Sequence, residues 1–124
     1  MKFHRIIENM IKDIFKDDIK YSEEILFDDS EGTLNSFELN KSIEEFEYIE
    51  VFSNIGYSKI HVSTNKRCFI SNSIRGDDKI IYNHCIQIDF NKNKAIISSN
   101  YNYYNSTILS DYNKVYRVVG YKKL

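Results

Sequence analysis

The densest run of groups able to hold a ligand is Tyr101-Asn102-Tyr103-Tyr104-Asn105. Aromatic rings supply flat apolar faces and side-chain amides supply paired donors and acceptors, a combination that grips a sugar ring. Side chains alternate along a strand, so Tyr101 and Tyr103 share one face and Tyr104 takes the other. The same alternation supports a plain packing role for all three rings, and in the sequence alone that is the stronger reading.

Groups for bond-making chemistry are poorly placed. His4, His61 and His84 are far apart and none sits at the His-x-x-x-His or Cys-x-x-Cys spacing of a zinc site. His84 and Cys85 are adjacent on a candidate strand, so they point to opposite faces and make a poor base–nucleophile pair. The acidic pairs Asp17-Asp18, Glu23-Glu24, Asp28-Asp29, Glu44-Glu45 and Asp77-Asp78 fall in turn-like or polar stretches, where carboxylates are solvated rather than paired across a cleft. Asp28, Asp29 and Glu31 lack the full spacing of a calcium loop. The four glycines are scattered and form no phosphate cradle. These residues predict neither catalysis, nor a cofactor, nor a metal.

Composition narrows the class further. A chain of 124 residues matches one domain and buries about two thirds of its unfolded surface without a staple. The net charge of −1 lacks the basic excess of a nucleic-acid binder. No run approaches the roughly 18 apolar residues of a membrane span. The start lacks the apolar core of a secretory signal, which predicts synthesis in the cytoplasm. Cys68 and Cys85 lie in apolar stretches and read as buried, reduced thiols. Aromatic residues reach 15% with Tyr and Phe alone, which suits half-buried β surfaces.

The elements that would position these groups follow from periodicity. Phe3, Ile7, Met10 and Ile14 recur at helical spacing and predict an amphipathic helix over residues 1–18, for docking or oligomerisation. From residue 23 to residue 124 the period is two. Strands are expected at Glu24–Phe27, Thr33–Leu39, Phe46–Phe52, Tyr57–Ser63, Arg67–Ser71, Lys79–Tyr82, His84–Phe90, Ala95–Ser99 and Val115–Tyr121. Turns are expected at Asp28–Gly32 and Asn91–Lys94, with a polar loop over Ser73–Asp78. Many short strands with polar turns favour a mainly β fold, an antiparallel β-sandwich of jelly-roll-like form behind one N-terminal helix.

Three stretches resemble a known family: Ile25-Leu26-Phe27-Asp28 with Thr33-Leu34; Leu39-x-x-Ser42-Ile43-x-x-Phe46-x-Tyr48-Ile49-Glu50-Val51; and Val115-Tyr116-Arg117-Val118-Val119-Gly120-Tyr121. Together they resemble the C-terminal β module of tail-fibre and baseplate receptor-binding proteins of phages of Gram-positive bacteria. The likeness spans roughly residues 24–122 and rests on its two ends, mainly on core and turn positions. It implies a non-catalytic structural component of a phage tail or tail-like particle, assembled into that particle. Implied partners are other tail or baseplate proteins and host cell-surface carbohydrate, with a homotrimer favoured. The rival reading is a small cytosolic interaction module, such as an immunity or regulatory protein, that uses the acidic stretch from residue 44 to residue 50.

Overall fold

A computed structural model describes residues 6–7, 21–104, 107–108 and 113–124. Of the predicted helix, Ile6 and Ile7 are helical and exposed; Phe3, Met10 and Ile14 lie outside the described residues. Among the described residues no helix is long and apolar enough to cross a membrane.

The strands are β1 (Tyr21–Thr33), β2 (Phe37–Glu38), β3 (Tyr48–Ser53), β4 (Gly56–His61), β5 (Arg67–Arg75), β6 (Ile81–Asn91), β7 (Lys94–Tyr104), β8 (Thr107–Ile108) and β9 (Val115–Lys123). They form two antiparallel sheets. The first has the order β1-β9-β3-β4; the second has the order β2-β7-β6-β5, with β8 beside β7. This order differs from the expected jelly-roll-like one, which needs two Greek keys. Here β3–β4 is a simple hairpin, β5–β6–β7 is a meander, β2 pairs with the distant β7, and β9 returns to lie between β1 and β3.

Alternation dictates the core. Ile49 and Val51 of β3, Ile60 of β4, Cys68 and Ile70 of β5, Ile86, Ile88 and Phe90 of β6, and Val115 and Val118 of β9 are all buried. They belong to one apolar cluster fed by both sheets. The Ser42-Ile43-x-x-Phe46 stretch caps one end of it. Ser42 Oγ accepts from the Glu44 N–H at 3.2 Å and starts a 3-10 turn over Ile43–Glu45. That turn drops Ile43 and Phe46 onto the core. Phe46 then lies flat against Gly120, where any side chain would collide with the ring.

Several boundaries move relative to the sequence reading. The acidic stretch Asp28–Gly32 is not a turn but part of β1. Asp28 opposes Arg117 and Thr33 opposes Val115, so five residue steps on β1 match two on β9. The surplus is absorbed as an irregular bulge with Gly32 at φ +78°. Pairing with β9 thus overrides a local preference for turning. Of Thr33–Leu39, Thr33 ends β1 and Phe37–Glu38 forms β2; the rest is not strand. Of the loop expected over Ser73–Asp78, residues 73–75 end β5 and residues 76–78 do turn; Lys79 and Ile80 belong to that turn, and Ile81 and Tyr82 join His84–Phe90 in the long β6. The hairpin turn between β5 and β6 closes through Gly76 N–H to Ile80 O at 2.8 Å, with Lys79 at φ 66°. The β6–β7 hairpin turns at Lys92-Asn93 as expected, with Lys92 at φ 54°.

Candidate ligand-binding groove on the second sheet

The outward face of β5–β6–β7 holds a groove of about 530 Å³. Three rows of opposed residues build it. Phe69 lies beside Gln87, Ser71 beside Cys85 and Tyr101, and Ser73 beside Asn83 and Tyr103. The Tyr101 and Tyr103 ring centroids are 5.6 Å apart in a tilted pair, and Phe69 is 52% exposed. Ser73 Oγ donates to Asn83 Oδ1 at 2.8 Å. The walls therefore combine ring faces with hydroxyl and amide groups and carry no ion pair. Among the described residues the ion pair on this face, Arg67 with Asp89 at 2.6 Å, sits at its end.

What points the tyrosines outward is a β-bulge. Gln87 opposes Ser99, but Ile88 opposes Ile97, so Ser98 is one residue too many on β7. A one-residue slip exchanges the faces of everything beyond it. Before the bulge the odd residues Ala95 and Ile97 face the core; after it the odd residues Tyr101 and Tyr103 face solvent, and Asn100 and Asn102 face in. Burial preference would place them the other way.

The inward amides carry the cost of this arrangement. Asn100 settles through Asn113, donating to its carbonyl at 2.8 Å and accepting its N–H at 3.3 Å. Asn113 is itself buried, donating to Cys85 O at 3.1 Å and Tyr101 O at 3.2 Å, while His84 Nδ1 lies 3.2 Å from its Oδ1. Asn102 is 0% exposed and neither atom of its amide has a hydrogen-bond partner. An unpartnered buried polar group costs about 1–3 kcal/mol. Such a cost, held in place by a bulge, is typical of a surface kept for binding rather than for stability.

Tyr101 and Tyr103 thus come together in the groove, and Tyr104 does not. It lies on the opposite face, 6.1 Å from the Tyr82 ring. The sequence reading missed Phe69, Ser71, Ser73 and Asn83 as groove residues, because strand pairing alone brings them beside the tyrosines. Cys85 forms part of the floor, and it raises the Tyr101 phenol above its ordinary range, first through charge and then through partial burial. His84 and Cys85 point to opposite faces, as their adjacency requires. Cys68 and Cys85 are both free and buried, and they are out of step across the β5–β6 pair, Cys68 opposite Ile88 and Cys85 opposite Ser71.

The remaining candidates are engaged with their own chain. His61 Nδ1 is 2.9 Å from Ser63 Oγ, and its Nε2 is 3.7 Å from Glu47. Lys66 reaches Glu44 at 3.4 Å, and Glu50 hydrogen-bonds the Tyr121 hydroxyl, so the acidic stretch 44–50 is largely spent within the fold. Asp28 faces Arg117 at 3.5 Å in a second depression of about 440 Å³ on the first sheet. His4 and Asp17-Asp18 lie outside the described residues. Among the described residues no three His, Cys, Asp or Glu side chains gather as metal ligands.

Comparison with known proteins finds no family model and no curated protein that matches this chain.

Proposed function

We propose that the chain is a non-catalytic β-sandwich binding module, a structural component of a phage tail or tail-like particle. In this reading it engages host-surface carbohydrate through the groove on the second sheet. The single observation that carries it is the inversion at Ser98, which turns Tyr101 and Tyr103 outward and leaves Asn102 buried without a partner. Neutral sugars present apolar ring faces flanked by hydroxyls, which aromatic faces beside Ser and Asn side chains complement. The tail context rests on the resemblance of the opening and closing strands alone.

Binding of the full chain to a panel of Gram-positive wall polysaccharides, followed by calorimetry, tests this. One polysaccharide is expected to bind, and Tyr101→Ala or Tyr103→Ala to weaken it at least about tenfold, which corresponds to about 1.4 kcal/mol. Tyr104→Phe should leave it unchanged. A chain that binds none of the panel, or binds equally well without Tyr101 and Tyr103, would sink the reading.

A further inference from the structure

Both sheets end in open edges, and natural proteins blunt such edges with charge, proline, bulges or short strands. Three edges here follow that rule. β1 is interrupted by two register shifts and carries Glu23, Glu24, Asp28, Asp29 and Glu31. β4 has six residues with Lys59 among them, and β2 and β8 have two residues each. β5 differs. It runs nine residues in unbroken register with β6, and from Cys68 to Ile74 it has neither a charge nor a proline. Among the described residues no backbone hydrogen bond reaches its outer edge over that stretch. Phe69 and Ile74, 52% and 37% exposed, stand along it.

We infer that the outer edge of β5 pairs antiparallel with β5 of a second copy of this chain, about a two-fold axis at Asn72. The charges at the ends of the strand select that register. Centred on Asn72, Phe69 opposes Arg75 of the other copy, a cation–π match. Ile74 then meets Ile70 and loses its exposure. Centred one residue earlier, at Ser71, Arg67 would oppose Arg75, two like charges face to face. The two-fold pairing joins two five-stranded sheets into one and sets both grooves on a common face, where a repetitive surface ligand would be held with avidity. A dimer is therefore favoured over the trimer that the family resemblance implies. The inference rests on the edge alone and stands whatever the groove binds.

Sedimentation velocity of the full chain through the micromolar range tests it, with mass as the readout and no ligand present. The unmodified chain is expected to reach a dimer. Phe69→Lys, which sets like charges opposite each other twice by symmetry, should weaken the dimer about tenfold. Adding Arg75→Glu should restore it. Independently, Asn72→Cys should form an intermolecular disulfide on mild oxidation, because directly opposed residues have Cα atoms about 4.5–5.5 Å apart, within disulfide reach. A monomer throughout, a Phe69→Lys dimer of unchanged strength, or no crosslink from a folded Asn72→Cys chain would each overturn the inference.

Discussion

Gln87 Nε2 donates to Ser98 Oγ at 2.9 Å across the β6–β7 pair, and the Ser98 hydroxyl lies 3.4 Å from the Gln87 carbonyl oxygen. This clasp holds the extra residue outside the ladder. The faces of Tyr101, Tyr103, Asn100 and Asn102 all depend on that one residue, which makes it the hinge between fold and site.

Deleting Ser98 should therefore restore strict alternation, swinging Tyr101 and Tyr103 toward the core and the two amides toward solvent. Nitration mapped by mass spectrometry is expected to show both tyrosines modified in the unaltered chain and protected in the deletion. Carbohydrate binding should vanish together with their reactivity. Reactive tyrosines in a folded deletion would show that the bulge does not set their direction.

Asn102 offers the complementary test. Replacing it with Leu, close to it in size, removes two unpartnered polar atoms from a site with 0% exposure. Stability is expected to rise by about 1–3 kcal/mol, read from urea unfolding. An unchanged or lower midpoint would refute the claim that this amide is a burden.

The sequence makes the centre of each sheet legible and hides what depends on partners. β3 and β6 show their faces plainly, because Ile49 and Val51, and then Ile86, Ile88 and Phe90, alternate with polar residues. β1 is masked: Asp28-Asp29-Ser30-Glu31-Gly32 has turn chemistry, and only its partner β9, which begins 82 positions after β1 ends, keeps it extended. Tyr101 and Tyr103 are recognisable as a ringed face, but nothing within their own segment says which way that face looks. The available signal is Ile96-Ile97-Ser98-Ser99, where two apolar residues precede two small polar ones and the alternation breaks. The rest of the groove comes from β5 and β6, so no local pattern could have supplied it.

Gly120 and Phe46 give a test of packing. A Cβ on Gly120 would stand 2.6 Å from Phe46 Cδ1 and 2.7 Å from its Cγ. Gly120→Ala is expected to cost about 1–3 kcal/mol, as overpacking usually does. Combined with Phe46→Leu, the loss should be smaller than the sum of the single losses, because the shorter side chain vacates the contested space. Strictly additive losses would mean that the two residues do not press on each other.

Cys68 predicts a pH effect of definite sign. Burial pushes its thiol from an ordinary 9.0 up to about 11, with a Ser58 hydrogen bond opposing weakly. Below pH 9 the thiol is protonated in both folded and unfolded chains, and its contribution is complete. Between pH 9 and 11 the unfolded chain releases the proton while the native one keeps it, so stability falls as pH rises, by about 2–3 kcal/mol in all. Cys68→Ala loses some packing at every pH but escapes this decline, and the tyrosines titrate alike in both chains. The stability gap between the two chains should therefore narrow steadily from pH 8.5 to pH 10.5 in urea unfolding. A gap that stays constant over that window would place the Cys68 thiol near its ordinary value and contradict its burial.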